Sequence, residues 1–250
     1  MSTPIEAPGG VGSLADLRKL SDQIDGFLGR REGVYLFKLA KLGANRGVVV
    51  EIGSWKGKST VWLAKGSEAV NGQVIFAIDP HIGSPEHQQQ SPGKVNTEQE
   101  FRANMARAGV ANRVTPLLMT SLAALAGWTK PIGFLWIDGD HSYEAVSQDY
   151  YGWLPHVVDG GIIAFHDTYY WEGVRRLVDE EVLQSQGMRV LGQLDGILAI
   201  QKSPATSLTD QFNLFLVRRL RRVFNRARSQ RKPWRALPRK LLRALAWPRH

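Results

Sequence analysis

The sequence predicts a doubly wound α/β fold, in which a mostly parallel, seven-stranded sheet is covered by helices on both faces. Three observations predict it. Apolar runs of strand length alternate with longer segments of helical periodicity between residues 48 and 200. The runs are apolar almost throughout, as expected for parallel strands buried on both faces. The last two runs stand close together, joined around residues 192–196, which predicts an antiparallel hairpin at one edge of the sheet.

Helices are predicted before and between the strands. Two stretches of helical periodicity, residues 14–28 and 34–42, form an N-terminal helical lead-in over residues 1–44. The predicted strands are 48–52, 74–78, 114–119, 132–137, 161–165, 188–191 and 197–200. The predicted helices between them are 59–70, 98–108, 142–154 and 172–184. A polar segment at 82–96 follows the second strand and is long enough to act as a lid.

The composition excludes several kinds of site. The chain has no cysteine, so a disulfide framework, a thiolate zinc site and a cysteine nucleophile are excluded. No apolar stretch approaches the roughly 20 residues of a membrane-spanning helix. The first residues lack the basic flank and apolar segment of a signal peptide, so we expect a cytoplasmic protein.

Positive charge is concentrated in the basic tail, residues 205–250. This segment holds 13 lysines and arginines against one acid, Asp210, whereas the rest of the chain is mildly acidic. Apolar residues recur there at helical spacing among the arginines, which predicts a basic amphipathic helix. Such a helix can contact an anionic membrane surface, or it can pack on the domain or a partner subunit with its arginines solvated. Nucleic acid is a third partner, but no RNA-binding motif accompanies the tail, so we do not expect it.

The first strand leads into a loop that is typical of a nucleoside site. Gly53, just after Glu51, lets the chain turn close to a ligand, and Ser59 is positioned to cap the next helix. Gly53 and Gly57 alone would also suit a simple tight connection. The second strand, however, ends in Asp79, whose carboxylate can accept both hydroxyls of a ribose. The glycine spacing fits neither a P-loop nor a dinucleotide fingerprint, which leaves an adenosyl ligand without a pyrophosphate.

A second group of polar residues follows the fourth and fifth strands. Asp138 follows the fourth strand, and His166 and Asp167 follow the fifth. If these strands are neighbours, like charges converge at one edge of the sheet, and a bound cation explains them. We expect Mg²⁺. Because hard cations prefer oxygen, His166 either lies beside the ion without binding it or favours Mn²⁺ or another transition metal.

Four stretches of the sequence resemble a known family. They are VVVEIGSWKGKST, the acid in FAIDP, WIDGDHSYEAVSQD and LPHVVDGGIIAFHD. The resemblance is to class I S-adenosylmethionine-dependent methyltransferases, in particular to the metal-dependent sugar O-methyltransferases related to macrocin O-methyltransferase and to the cephalosporin hydroxylase-type proteins. It implies a Rossmann-like, S-adenosylmethionine-dependent methyltransferase domain over residues 45–204.

The resemblance also implies roles for individual residues. The cofactor would contact Glu51, Gly53, Ser54, Ser59, Asp79, Ser121 and Asp138. The metal would be held by Asp138 and Asp167, with His166 as the candidate third ligand, since relatives often have two acids at this pair. The base would be Asp140 or His141. We favour His141, because an imidazole titrates near neutral pH.

These roles imply an O-methyltransferase that acts on a sugar hydroxyl of an oligosaccharide, polysaccharide or glycoside, for example of the methylmannose type. A bound cation would contact adjacent acceptor oxygens, and His141 or Asp140 would remove a proton. The tryptophans that could stack against a pyranose are Trp55, Trp128, Trp136, Trp153 and Trp171. A homodimer is expected. The alternatives are a catechol-like or natural-product acceptor, and an RNA-binding methyltransferase that uses the basic tail.

Overall fold

The central sheet has seven strands within the residues that the computed structural model describes, which are 13–70, 72–83, 95–229 and 240–241. The strands are β1 (Val48–Ile52), β2 (Ile75–Ile78), β3 (Val114–Leu117), β4 (Ile132–Ile137), β5 (Val157–Phe165), β6 (Met188–Leu194) and β7 (Ile197–Lys202). Their order is β3-β2-β1-β4-β5-β7-β6. The first five pair in parallel, whereas β7 is antiparallel to both β5 and β6. The predicted sheet with its antiparallel edge hairpin is confirmed.

Helices cover both faces of this sheet. They are α1 (Leu14–Asp22), α2 (Arg30–Gly43), α3 (Lys58–Glu68), α4 (Glu98–Arg107), α5 (Ser121–Leu125), α6 (Tyr143–Trp153), α7 (Glu172–Glu180) and α8 (Leu208–Ser229). Helices α1 to α4 contribute to one apolar core, and α6 to α8 contribute to the other. All six residues of β4 are buried, because both faces of this central strand are covered.

The strand order reverses between β1 and β4. From β1 the chain proceeds outward to β2 and β3, and it then returns to β4 on the other side of β1. In open parallel sheets, the loops that leave the carboxyl ends of the strands diverge at such a reversal and leave a crevice between them. The loops after β1, β2, β4 and β5 are therefore the expected walls of a ligand site.

The N-terminal helices share the core of the sheet. Leu17 of α1 and Leu36 of α2 lie in the same apolar cluster as Val49 of β1. The indole N–H of Trp62 on α3 donates a hydrogen bond of 2.9 Å to the hydroxyl of Ser21, which ties α1 to α3. The predicted lead-in is thus packed as an integral layer of the domain.

The bounds of these two helices differ from the predicted ones. Periodicity over 14–28 predicted one helix, but α1 ends at Asp22, and Gly26 has a φ of +148° that interrupts the pattern. Helix α2 begins at Arg30, earlier than the predicted residue 34. Its start is stabilised by the side chain of Glu32, which accepts a hydrogen bond of 2.9 Å from the amide of Gly29. Local capping therefore overrides the apolar pattern at this point.

The first half of the basic tail is the helix α8, as its amphipathic pattern predicted. One face of α8 packs on the domain, with Val217 and Phe224 in the second apolar core. No described helix is both long and apolar enough to cross a membrane. The second apolar-basic stretch of the tail, from residue 230 onward, lies outside the described residues except for 240–241, and so does most of the predicted lid at 82–96.

A buried arginine fastens α8 to the domain. The side chain of Arg221 is 1% exposed. Its Nε donates to Asp179 of α7 (2.6 Å), and its other nitrogens donate to the hydroxyl and carbonyl oxygens of Thr168 and to the side chain of Gln193. The guanidinium also lies 4.6 Å from the ring centre of Tyr169. A buried guanidinium is stable only when its donors are satisfied, so these partners fix the position of α8.

We expect the substitution Arg221→Met to lower the free energy of unfolding by about 3 kcal/mol, because it leaves Asp179 and buried polar oxygens without their donors. Arg222→Met on the same helix is the matched control. Arg222 is exposed, and its loss should change stability by less than about 0.5 kcal/mol. Urea unfolding followed by circular dichroism measures both. Equal effects of the two substitutions would contradict the role assigned to Arg221.

Candidate active site

A cavity of about 930 Å³ opens at the carboxyl ends of the parallel strands. Its walls are formed by the loops that follow β1, β2, β4 and β5, where the strand order reverses. The predicted site residues that line it are Gly53, Ser54, Ser59, Asp79, Ser121, Asp138, Asp140, His141, His166 and Asp167. The predicted constellation is therefore brought together at one edge of the sheet.

Two glycines shape the loop after β1. Gly53 has a φ of +84°, and a Cβ at this position would lie 2.1 Å from the carbonyl oxygen of Asp138. Only glycine allows the loop to approach the end of β4 this closely. Gly57 has a φ of +87° and is the N-cap of α3. The prediction that Ser59 caps this helix is wrong, because the left-handed glycine turns the chain first and leaves Ser59 inside the first helical turn.

Glu51 supports this loop from behind. Its carboxyl group is fully buried and accepts hydrogen bonds from the hydroxyls of Ser59 (2.6 Å) and Thr60 (2.5 Å). Burial raises the pKa of Glu51 to about 8, although the two hydrogen bonds act in the opposite direction. Glu51 therefore joins the end of β1 to the start of α3, and it lies behind the cavity wall instead of lining it with the other predicted cofactor residues.

Asp79 holds the same loop from the end of β2. Its Oδ2 accepts hydrogen bonds from the backbone amides of Ser54 (2.9 Å) and Trp55 (2.7 Å), and its Oδ1 accepts one from the amide of His81 (2.6 Å). These donors keep the carboxylate at the cavity wall. Because a carboxylate oxygen offers about two acceptor positions, Oδ1 keeps capacity for a ligand hydroxyl.

Asp149 of α6 is an acid of the cavity that the sequence analysis did not identify. It lines the cavity and accepts a hydrogen bond from the hydroxyl of Ser121. Burial raises the pKa of Asp149 to about 6, despite that hydrogen bond. The sequence did carry a signal for this acid. Asp149 lies at helical spacing from the apolar residues Val146, Tyr150 and Trp153, and α6 buries all four on one face.

A row of charges runs beside the cavity from α2 to β4. Nδ1 of His166 lies 3.0 Å from Oδ1 of Asp138, and its Nε2 lies 3.7 Å from Oε1 of Glu32. The same Glu32 oxygen accepts a hydrogen bond of 2.8 Å from the amide of Gly196, between β6 and β7. Burial alone would lower the pKa of His166, but the neighbouring carboxylates outweigh it and raise that pKa well above its usual value. The carboxylates on both sides therefore favour the protonated form of His166.

The two acids that flank His166 have opposite pKa shifts. Burial raises the pKa of Asp138, and His166 offsets only part of this effect. Burial would also raise the pKa of Glu32, but the nearby ring of His166 and hydrogen bonds from the amides of Gly29 and Gly196 hold it below its usual value. Sequence reasoning missed Glu32 in this role, because its contacts join positions that are far apart in the chain.

His141 and Asp167 form a second polar group at the cavity. The ring of His141 stacks on Trp171, with ring centres 4.6 Å apart and planes 5° from parallel. Its Nε2 lies 3.4 Å from Oδ2 of Asp167. Burial alone would raise the pKa of Asp167, but His141 and the charge of His166 hold it below its usual value. Asp167 also has a φ of +53°, a conformation that is rare outside glycine and recurs at functional sites.

Three polar side chains of the cavity lie close enough together to hold a cation. One ligand atom from each of Asp138, His141 and Asp167 lies within 4.8 Å of the other two. The predicted set contained His166 in place of His141. His166 does not join the group in this structure, because its two ring nitrogens already face the carboxylates of Asp138 and Glu32. It supports Asp138 from the side.

The two candidate bases are held differently. Oδ1 of Asp140 accepts a hydrogen bond of 2.7 Å from the amide of Ser142, the N-cap of α6. One oxygen of this carboxylate is therefore already used to cap the start of α6. His141 instead packs on Trp171 and faces Asp167 within the cavity.

Two of the five tryptophans predicted to stack on a sugar line the cavity, namely Trp55 and Trp171. Trp136 and Trp153 are fully buried in the core, and Trp128 packs edge-on against Trp153 with ring centres 5.0 Å apart. These three stabilise the fold and are not available to an acceptor.

Residues 50–168 match the family model described as a methyltransferase domain. This segment of the chain is therefore similar to methyltransferase domains. The match begins in β1 and ends at Thr168, directly after Asp167. Glu32 and the whole of α8 lie outside it.

Known proteins similar to this chain agree with that match. An uncharacterized protein of Acanthamoeba polyphaga mimivirus is 29% identical over 126 residues, which are 49% of this chain and 52% of that protein. The match thus spans about half the length of this curated relative. The cofactor-bound protein Rv0187 from MTB is similar in structure, with a TM-score of 0.55 and 22% identity over 80% of this chain and 92% of that one. The O-methyltransferase from Bacillus cereus in complex with SAH has a TM-score of 0.54 and 19% identity, over 79% and 93%. These likenesses establish the Rossmann-like methyltransferase fold.

We expect Gly53→Ala to lower the free energy of unfolding by about 2 kcal/mol or more, because the new Cβ meets the Asp138 carbonyl and the left-handed φ is strained for alanine. Gly127→Ala is the control, since a Cβ at that position meets no atom within 4 Å. Thermal unfolding of both variants tests this. A Gly53→Ala protein as stable as the control would show that the loop does not need its close approach to β4.

The buried Glu51 predicts a dependence of stability on pH. Its pKa rises from 4.5 to about 8 in the folded protein, so the protonated form is favoured by folding. This contribution is fully present below about pH 4.5 and is lost as the pH rises through 8. Glu51→Gln cannot ionise. As the pH rises from 5 to 8, the melting temperature of the unsubstituted protein should therefore fall relative to that of this variant. A difference that stays constant with pH would refute the raised pKa.

Proposed function

We propose that this chain is an S-adenosylmethionine-dependent O-methyltransferase that acts on a sugar hydroxyl with the help of a divalent cation. The observation that carries the proposal is the junction of two sites in one cavity. The loop at Gly53 and Asp79 meets the group of Asp138, His141 and Asp167, because the Gly53 backbone lies against the Asp138 carbonyl.

The first half of the cavity suits an adenosyl cofactor. Its volume of about 930 Å³ is near the upper end for small-molecule sites, which suits a cofactor together with an acceptor. Asp79 retains an acceptor position for a ribose hydroxyl, and Ser121 and Asp149 add polar groups on the facing wall. When bound, S-adenosylmethionine supplies an electrophilic methyl group on a sulfonium. The similar O-methyltransferase in complex with SAH supports this choice of cofactor.

The second half suits a divalent cation. Asp138 and Asp167 offer two carboxylates, and these suit Mg²⁺ and Mn²⁺ alike. His141 lies beside them but stays outside the ligand set, because an imidazole nitrogen that binds a cation cannot also accept a proton. Such an ion supplies a Lewis acid for adjacent acceptor oxygens. Asp138 is oriented for this task by His166, which is itself held by Glu32.

The chain's own residues would supply the proton acceptor and the orientation. Stacking on Trp171 and the contact with Asp167 fix the ring of His141 at the cavity. We assign His141 as the group that removes the hydroxyl proton as the acceptor oxygen attacks the methyl carbon. In this in-line displacement the bond between that carbon and the cofactor sulfur would break as the new bond forms, and its electron pair would stay on the sulfur. Trp55 and Trp171 give the acceptor aromatic surfaces that suit a sugar ring.

We expect Asp138→Asn and Asp167→Asn each to lower turnover of an oligosaccharide acceptor at least about 100-fold while S-adenosylmethionine still binds. The control is Asp159→Asn, which changes an exposed acid of β5. Isothermal titration of S-adenosylmethionine with EDTA, Mg²⁺ or Mn²⁺, followed by turnover assays in the same buffers, separates cofactor binding from metal use. Absence of cofactor binding in all three buffers would refute the proposal, and turnover of catechols in preference to sugars would refute the sugar acceptor.

His141→Gln and Asp140→Asn distinguish the two candidate bases. We expect His141→Gln to reduce kcat by about 100-fold to 10,000-fold, the usual contribution of a general base. Asp140→Asn should keep most of the activity, because an amide oxygen can still accept the hydrogen bond from Ser142. Single-turnover rates with saturating cofactor are the measurement. A larger loss in Asp140→Asn would reverse the assignment.

A further inference from the structure

The outward face of α8 combines exposed apolar residues with arginines. Leu208 is 83% exposed, Phe212 60% and Phe215 53%, although residues of this kind are usually buried. The same face continues with the exposed residues Arg219, Arg222, Val223 and Arg226. Their spacing of three and four residues keeps them on one side of the helix.

The inward face fixes this surface to the domain. Arg218 donates to the carbonyl oxygen of Leu183, and Asn225 donates to Asp179 at 2.8 Å. Arg221 makes the buried contacts described above. The outward face is therefore the surface of a docked helix, and it is held in one orientation.

The positive charge of this part of the chain indicates what kind of partner the surface can bind. Residues 205–250 carry 13 basic residues and one acid, whereas the remaining residues carry 22 acids and 19 basic residues. A positive surface next to exposed phenylalanines matches a partner that is both anionic and apolar. An anionic lipid bilayer has this combination, with charged head groups over an acyl region that accepts aromatic side chains.

We propose that the outward face of α8 binds the surface of an anionic lipid bilayer. Nucleic acid would match the arginines and leave Leu208, Phe212 and Phe215 without a partner. A second copy of the chain could cover the phenylalanines, but a symmetric contact through this face would bring two sets of arginines together.

The docked helix also ends beside the cavity. The guanidinium of Arg228 lies 5.0 Å from the ring centre of Tyr170, and Tyr170 both lines the cavity and is exposed. The C-terminal end of α8 is thus next to the cavity mouth. Bilayer binding through this helix would bring the cavity close to the membrane surface.

Sedimentation of the full chain with lipid vesicles tests the proposal. The probes are vesicles of phosphatidylcholine alone and vesicles that also contain phosphatidylserine. We expect binding to the anionic vesicles, and that binding should weaken as the salt concentration rises. The double variant Arg219→Gln/Arg222→Gln should reduce the partition coefficient on the order of 25-fold, about fivefold for each charge. Phe212→Ser/Phe215→Ser should also reduce it, with the charge unchanged.

The matched control removes two exposed arginines elsewhere, by Arg18→Gln/Arg107→Gln on α1 and α4. It should bind vesicles as the unsubstituted chain does. Thermal unfolding of each variant checks that its fold is intact. The proposal is overturned if the chain does not bind anionic vesicles, or if the control and the α8 variants lose binding equally. It is also overturned if the α8 variants keep vesicle binding and lose only an RNA oligonucleotide or a dimer, as judged by fluorescence anisotropy and light scattering.

Discussion

The contact of His166 with Asp138 and Glu32 is the interaction on which the site depends. It joins the end of β5 to the end of β4 and to the first turn of α2. Glu32 also binds the amides of Gly29 and Gly196, so one carboxylate connects the N-terminal layer, the central sheet and the edge hairpin. A buried cation must have anionic partners nearby. Asp138 is therefore held at the cavity by a charge network whose other end lies outside the matched methyltransferase segment.

Close backbone packing connects this network to the loop after β1. The backbone of Gly53 lies against the carbonyl of Asp138, and Asp79 holds the amides of Ser54 and Trp55. The wall proposed for the cofactor and the wall proposed for the cation are thus joined by the contact between Gly53 and Asp138. A displacement of either would move the other, which is the kind of coupling that methyl transfer needs if the acceptor oxygen is to meet the methyl carbon in line.

Much of this arrangement could be predicted from the sequence, because strands and their terminal residues leave local signals. Apolar runs predicted the sheet, and the positions of Asp79, Asp138 and Asp167 after those runs predicted their convergence. The cap of α3 was mispredicted, because only backbone geometry distinguishes Gly57 from Ser59. The grouping of His141, and not His166, with Asp138 and Asp167 could not be predicted either. It depends on Glu32, whose contact with His166 spans most of the domain and leaves no local pattern.

The two faces of α8 differ in how freely they can change. Arg221 cannot be replaced alone, because Asp179, Thr168 and Gln193 depend on its donors, so substitution there requires several changes together. Outward residues such as Phe212 and Arg222 are exposed and can change one at a time. Evolution could therefore retune the surface that this helix presents, from one partner to another, while the cavity beside it stays the same. The inward side of α8 thus fixes the helix beside the cavity, and the outward side carries the proposed bilayer-binding surface.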